Sequence, residues 1–518
     1  MQVTPKRILW VDDEVELFEP HLLFLRQRGY HVDATTNGDD ALELARRETY
    51  DLVLLDEQMP GKRGLEVLAE IRREEPHARF VMVTKSEEDR TMTEAIGRRV
   101  DDYLVKPASP RQVLSAVTRL LEGPQLLQQR AAQDFAARFG ALSRMRDEAR
   151  TWQDYFDVYS ELVDWDLRLH EARERGLADS VAALLTDVRR EFGAYVARTY
   201  EEWTRPQASD RPPLSVDVVE RFVAPQAAQE RLLFVIIDCL RLDQWRTIRP
   251  LLAPLFDVDE HLYASILPTA TPYSRNAIFS GKYPDALARA YPTWWATDEG
   301  SLNAFEDQLF AEQLQRLTGR NVPLHYEKIF TDQDGDELLA RVRRAFKQGG
   351  VVALVFNFID LLTHGRSENA ILMEVARDVP ALRALTRQWF EHSTAFRVLR
   401  EAAAERIPTV LTTDHGSILC ERPVTVFARR DATANLRYKF GQDLRAEVPS
   451  AVFATGDEKV LRLPKGSLAT NYLLAMEDYF FVYPTKLREY QARYRGSFLH
   501  GGVSTEEMIL PVALLRPR

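Results

Sequence analysis

Short apolar runs alternate with amphipathic stretches over the first part of the chain. The runs RILWV, DLVLL, FVMV and DYLV punctuate residues 1–122, and apolar positions at helical spacing cover residues 15–27, 65–73 and the stretch ending at Leu121. Runs of that length read as buried strands and the intervening stretches as covering helices, so the pattern predicts five βα units forming a doubly wound parallel sheet. From residue 124 to about 213 the pattern becomes long, amphipathic and helical, with Trp152, Tyr155, Phe156, Tyr159, Leu162 and Trp165 recurring every three or four residues. Aromatics at that spacing line the core of a helical bundle. The polar, proline-bearing stretch RPQASDRPPLS at 205–215 reads as a boundary, and an α/β pattern resumes after it. The expected units are therefore 1–122, 123–215 and 216–518.

Composition narrows the class. The 518 residues exceed what one hydrophobic core usually serves, and 45% apolar with 28% charged residues is ordinary for a globular chain. A formal net charge of -10 lacks the basic footprint of a duplex-DNA binder, and no compact helix-turn-helix spacing is recognisable. Two cysteines, Cys239 and Cys420, cannot build a disulfide framework and fit a reducing compartment as buried thiols. The opening MQVTPKRILWVDDE meets acids before a signal-peptide apolar stretch develops, and the apolar runs are too short to span a bilayer. A cytoplasmic protein without membrane insertion is expected.

In doubly wound sheets, polar groups just past the strand ends converge on one crevice. Here those groups are Asp12, Asp13, Asp56, Thr84 and Lys106. Singly, such residues are common turn and cap formers. Together they make a chemical device, because clustered carboxylates repel unless a hard cation such as Mg²⁺ lies among them. Asp56 can then act as a nucleophile towards a phosphoryl group, whose oxygens Lys106 and Thr84 would hold. The motifs VDDE, LLDEQMPG, MVTKS and YLVKP resemble the receiver-domain family throughout residues 6–121. The resemblance implies a flavodoxin-like fold and a partner sensor histidine kinase. It further implies phosphorylation of Asp56, Mg²⁺ on Asp13, Asp56 and the backbone carbonyl of Gln58 with Asp12 acting through water, and a switch formed by Thr84 and Tyr103. Remodelling of the face made by the last strands and helices would favour a two-fold homodimer on phosphorylation.

The later segment repeats the strand-end logic. RLLFVII, VVALVFNF and TVLTT are followed by Asp238, Asp360 and Asp414. Continuous apolar runs read as strands buried on both faces, so the three carboxylates should meet at the carboxyl edge of one parallel sheet. Of ten histidines, His364 lies four residues after Asp360, His415 follows Asp414 directly, and His500 opens HGG. Mixed carboxylate and imidazole ligation suits Zn²⁺ and, less selectively, Mn²⁺ or Fe²⁺. Six ligands are too many for one tetrahedral zinc, so two metals follow if a hydroxyl or substrate oxygen completes the shell. Within LPTATPYSRNAIFSG at 267–281, Thr269, Thr271 and Ser274 precede a helix start that would favour an alkoxide.

IIDCLRLDQW, PTATPYSRNAIFSG, FIDLLTH, TTDHG and HGG resemble, in order, the PglZ branch of the alkaline phosphatase superfamily. The resemblance implies Asp360, His364 and His500 on one Zn²⁺, Asp238, Asp414 and His415 on the other, and Thr271 as the nucleophile touching the latter. Arg275 and Asn276 are candidates for holding phosphate oxygens. Receiver, helical segment and PglZ domain in this order resemble the PorX type of regulator, which implies a link to type IX secretion and a sigma factor. The substrate class expected is a phosphodiester, a nucleotide or oligonucleotide, since a monoester dianion asks for further cations. Trp294 and Trp295 offer either base stacking or packing. Two outputs remain open: a phosphodiesterase, and a phosphorylation-controlled signalling adaptor whose metals only stabilise the fold.

Beryllofluoride with Mg²⁺ is expected to bind the wild-type chain and not Asp56→Ala. It should also raise the dimer association constant about tenfold, equivalent to ~1.4 kcal/mol. Sedimentation at several concentrations checks both: unchanged association defeats the dimer switch, and an equally responsive mutant defeats Asp56.

Overall fold

The computed structural model describes residues 5–85, 100–206, 208–227, 231–295, 303–331, 334–366, 369–429, 433, 435–465 and 470–518. Contacts divide the chain into two compact units. One comprises Met1–Asp134 with Ala172–Glu174, the other Phe135–Glu171 with Arg175–Arg518.

The first unit holds a five-stranded parallel sheet in the order His31–Thr35, Arg7–Val11, Leu52–Asp56, Arg79–Thr84, Asp102–Val105. Successive side chains of a strand point to opposite faces, so an all-apolar run must be covered on both. Accordingly Leu9 and Val11 pack with Val53 and Leu55 on one face, and Ile8 and Trp10 with Leu52 and Leu54 on the other. Each fully buried side chain of this kind contributes about 1.5–3 kcal/mol. The helices Gly64–Glu74 and Pro110–Leu121 lie near the expected positions, Gly38–Arg47 is a helix that the sequence reading did not place, and residues 15–27 divide into a 3₁₀ turn, Val15–Phe18, and a helix, Glu19–Gln27. The helix expected between the last two strands falls within 86–99, outside the described residues.

The second unit is built on a six-stranded sheet in the order Phe256–Ala264, Ile509–Pro517, Thr409–Thr412, Arg231–Ile237, Gly350–Phe356, Leu324–Ile329. The expectation of a wholly parallel sheet needs correction, because Ile509–Pro517 runs antiparallel to both neighbours. A second correction concerns VVALVFNF: the strand stops at Phe356, and Phe358 already begins the helix Phe358–Arg366. Leu232, Phe234 and Ile236 form a buried cluster with Val351, Ala353, Val355, Val410 and Val512.

The middle segment forms the helices Gly123–Glu148, Trp152–Glu171 and Arg175–Trp203. Most of it clusters with the larger unit rather than standing alone. Tyr155, Phe156, Tyr159, Leu162 and Trp165 are buried, as core aromatics should be. Charged groups also cross to the α/β part: Arg189 Nε lies 3.1 Å from both carboxylate oxygens of Glu506, and Arg246 Nη2 donates to Ser160 Oγ at 2.6 Å. The stretch 205–215 carries the composition of a linker, yet Arg211 pairs with Asp217 and Ser215 Oγ accepts from Ile266 N–H at 3.1 Å. Residues 211–215 are thereby pinned. Among the described residues no helix is long and apolar enough to cross a membrane.

Burial would raise the Glu506 carboxyl, but the Arg189 guanidinium overcomes it and holds the group down at about 2. A depressed acid stabilises the fold above its ordinary value of 4.5, and that stability is lost as pH falls towards 2. Glu506→Gln, which leaves Arg189 buried and unpaired, should cost about 3–5 kcal/mol in denaturant unfolding and flatten this acid dependence. An unfolding midpoint equal to wild type would show that the pair contributes nothing.

Candidate functional site

Two clusters of acids sit at strand ends, one in each unit. In the smaller unit Asp12 follows the strand Arg7–Val11, Asp56 and Thr84 close theirs, and Lys106 follows Asp102–Val105. Asp12, Asp56 and Thr84 are buried. Lys106 Nζ lies 2.7 Å from Asp12 Oδ2 and 2.7 Å from Asp56 Oδ2, tying the two carboxylates together. Burial raises the Asp12 carboxyl above its usual range against the pull of Lys106. Burial opposes the charge on Lys106, but the two carboxylates prevail and raise its ammonium. One oxygen each from Asp12, Asp13 and Asp56 lies within 4.8 Å of the others, an all-oxygen set that fits a hard cation such as Mg²⁺. Gln58 donates its backbone N–H to Asp56 Oδ1 at 3.3 Å. Tyr103 is half-buried against the sheet core, and Lys106 N–H donates to Thr84 O at 2.8 Å.

In the larger unit, Asp238 follows Arg231–Ile237 and Asp414 stands two residues beyond Thr409–Thr412. Asp360 lies in the first turn of its helix, so His364, one turn on, projects from the same face. His500 follows Ser497–Leu499, which pairs with Ile418–Cys420 just after His415. Two three-residue groups result, each offering ligand atoms within 4.8 Å of one another: Asp238, Asp414 and His415, and Asp360, His415 and His500. His364 joins the second, its Nε2 lying 3.3 Å from Asp360 Oδ1 and 3.0 Å from His500 Nε2. The rings of His415 and His500 stack at 4.1 Å, which makes the groups adjacent.

Electrostatics marks this as a place that needs countercharge. Burial and then the neighbouring Asp414 charge raise the Asp238 carboxyl far above its usual range. For Asp360, burial is outweighed by His364 and His500, and the carboxyl is held low. Burial and the neighbouring His415 depress the His500 imidazole. Asp238 Oδ1 and Asp414 Oδ2 are buried with no hydrogen-bond partner among the described residues. Unpaired buried carboxylate oxygens facing imidazole nitrogens are the donor set of a Zn²⁺-type ion, so the residues fit the expected metals.

Thr271 opens the helix Thr271–Ser280, its Oγ1 2.9 Å from His415 Nε2. Thr269 instead ties the loop to the HGG segment, donating Oγ1–H to Gly502 O at 2.8 Å and accepting from Gly501 N–H at 3.1 Å. Ser274 Oγ is given to Ala270 O. Arg275 and Asn276, the candidates for holding phosphate oxygens, make contacts within the protein. Arg275 is buried and gives Nη1 to Asp238 Oδ2 at 2.6 Å and Nε to Glu306 Oε1 at 2.7 Å. Asn276 Nδ2 is given to Pro272 O within its own helix. Trp294 stacks on Tyr291 at 4.7 Å and on Phe305 at 5.7 Å, a packing role. Trp295 lies against Tyr273, with ring centroids 6.4 Å apart. Cys239 and Cys420 are buried, and burial pushes both thiols up, Cys420 to about 12.

Three residues carrying this site were not singled out by sequence. Asn357 donates Nδ2 to Asp238 Oδ2 at 3.1 Å, and its place just past a strand end was the available signal. Tyr200 OH accepts from Leu267 N–H at 2.7 Å and thereby holds the loop leading to Thr271. Glu306 had no signal beyond being one acid among many.

A receiver-type crevice and an alkaline phosphatase-like crevice in one chain define a response regulator with a phosphatase-like output domain. The family comparisons agree. The model of the BREX system PglZ alkaline phosphatase-like domain matches residues 218–515, that of the response regulator receiver domain residues 8–118, and that of the PorX response regulator linker domain residues 125–204. The PglZ match covers more than half of the chain, which belongs to that family and has the three-part arrangement of PorX-type regulators.

Among curated relatives, ResD of Bacillus subtilis, a transcriptional regulatory protein, is 38% identical over 23% of this chain and 50% of its own length. AlgB of Pseudomonas putida, an alginate biosynthesis transcriptional regulatory protein, is 32% identical over 38% of this chain and 41% of its own. The chain thus spans about half or less of the length of these relatives. Among solved structures, the response regulator TrrA of Thermotoga maritima is 37% identical over 22% of this chain and 99% of its own, with a TM-score of 0.21. A CheY-like receiver from Methanospirillum hungatei is 29% identical over 23% and 96%, with a TM-score of 0.22.

Protein purified without chelators is expected to carry about two transition-metal ions per chain, chiefly zinc, and to melt at a lower temperature once stripped. Elemental analysis decides: no metal, with none taken up on addition, removes the dinuclear centre.

Proposed function

We propose that this response regulator is phosphorylated on Asp56 by a sensor histidine kinase and that its output domain is a dinuclear zinc phosphodiesterase. Its substrates are nucleotide or oligonucleotide phosphodiesters, with Thr271 as the nucleophile. The observation that carries the reading is Thr271 Oγ1 at a helix N-terminus, 2.9 Å from His415 Nε2 and beside two adjoining carboxylate and imidazole groups. Asp360, His364 and His500 would hold one ion, and Asp238, Asp414 and His415 the other. When bound, the ions would supply positive charge to the Thr271 alkoxide and to the phosphoryl oxygens.

The chain's own contribution is placement. Tyr200, Thr269 and Gly501 fix the loop from Leu267 to Thr271, and the helix that Thr271 opens favours negative charge at its Oγ1. The Thr271 hydroxyl gives its proton to solvent, a new bond joins its oxygen to phosphorus as the bond to the departing ester oxygen breaks, and that oxygen takes a proton from solvent. Water then attacks the phosphothreonine, releasing the phosphomonoester product and restoring the hydroxyl. On the regulatory side, Lys106 bridges Asp12 and Asp56 and is placed to turn to a phosphoryl oxygen on Asp56. Family resemblance supports a place in type IX secretion control, with a sigma factor as partner and a homodimer as the phosphorylated form.

Thr271→Ala is expected to lower the hydrolysis of an activated phosphodiester at least a hundredfold while both metals stay bound. Turnover at the wild-type rate would exclude Thr271 as nucleophile. A wild type that binds metal and hydrolyses no ester would favour the adaptor reading.

A further inference from the structure

The buried network behind Arg275 joins residues from separate parts of the fold. Glu306, the first residue of the helix Glu306–Thr318, is buried and accepts hydrogen bonds on both oxygens. Oε1 receives Arg275 Nε at 2.7 Å and Asn303 Nδ2 at 2.5 Å, while Oε2 receives Tyr326 OH and Lys328 Nζ, the latter at 3.0 Å. Burial works to raise this carboxyl, but Arg275 and Lys328 keep it below its usual range, so it is an anion.

Two arms lead from Glu306 to the catalytic groups. Through Arg275 it reaches Asp238, whose Oδ2 accepts Arg275 Nη1 at 2.6 Å and Asn357 Nδ2 at 3.1 Å. Both donors fall on one oxygen, which leaves Oδ1 buried and free of hydrogen bonds among the described residues, 3.6 Å from His415 Nε2. Through Asn303 it reaches the nucleophile, because the same Nδ2 lies 3.3 Å from the backbone carbonyl of Thr271. Lys328 Nζ closes the network by donating to Asn303 O at 2.5 Å.

Charge explains why an acid is needed at this position. An arginine beside a carboxylate meant for a dication competes for the ligand and repels the ion. Paired with Glu306, the guanidinium still orients Asp238 as a hydrogen-bond donor, while the carboxylate offsets one of the two positive charges, Arg275 and Lys328, gathered behind the site. From this geometry we infer that Glu306 is a positioning residue: it presents Asp238 to metal through Arg275 and fixes Thr271 through Asn303. The inference rests on the dinuclear phosphodiesterase reading. Partners that orient a ligand are commonly worth 10–100-fold in metal affinity or activity.

The test uses the full-length protein and zinc itself, with affinity read by competition against a chromogenic chelator and turnover read on an activated phosphodiester. Glu306→Gln should weaken zinc binding at least tenfold and lower kcat more than KM, and Glu306→Asp, which keeps the charge, should recover most of the affinity. Because an amide in a charged pocket can unfold the domain, Arg275→Lys and Asn303→Ala probe the arms separately. The first should weaken zinc binding, and the second should lower kcat with zinc binding unchanged. A folded Glu306→Gln protein with zinc affinity and kcat within twofold of wild type overturns the inference, as does Arg275→Lys with wild-type affinity or Asn303→Ala with wild-type kcat. Wild-type protein that takes up no zinc defeats the dinuclear reading and the inference with it, so the two failures are distinguishable.

Discussion

Repulsion between carboxylates is the constraint on which the rest of this protein depends. Both crevices gather acids at the ends of buried strands, where burial of most of them limits screening by water and each additional anion opposes the next. A scaffold able to hold such groups together must be rigid, and the continuous apolar runs beneath Asp56, Asp238 and Asp414 supply that rigidity. The interest of the chain lies in how differently its two units answer the same problem.

In the smaller unit the answer is a single flexible cation. Lys106 pairs with two carboxylates from a long side chain whose partners can be exchanged without moving the backbone, which suits a charge that arrives and departs. In the larger unit the guanidinium of Arg275 forks between Asp238 and Glu306 inside a packed interior, which suits a centre that stays charged. The two units thus differ in the kind of cation rather than in the number of aspartates, three in each crevice.

How much of this could be read in advance follows from range. Apolar runs ending in acids are local patterns, so Asp12, Asp56, Asp238 and Asp414 stood out, and the fold class came with them. The four-residue spacing of Asp360 and His364 was visible too, although Asp360 was expected at a strand end and lies in the first turn of a helix. What escaped was fixed by tertiary approach. Nothing local marks Glu306 as the partner of Arg275, or Tyr200 as the acceptor that holds Leu267. Arg275 and Asn276, one helical turn after Thr271, turn towards carboxylates and a helix carbonyl, because burial requires every donor to find an acceptor. The stretch 205–215 was read as a boundary from its composition, which says nothing of the hydrogen bonds that hold residues 211–215.

The order of strands carries a consequence for synthesis. Ile509–Pro517 follows every other strand of the large sheet in sequence but lies inside it, between Phe256–Ala264 and Thr409–Thr412. Until that segment leaves the ribosome, Phe256–Ala264 lacks the strand that joins it to the sheet, and Thr409–Thr412 presents an open edge. The receiver sheet is local in sequence and can form as soon as its strands emerge, whereas the larger unit must wait for non-local pairing. Translation therefore delivers a nascent chain able to receive a signal before it owns an output, and an interrupted message would leave a receptor module with nothing to command.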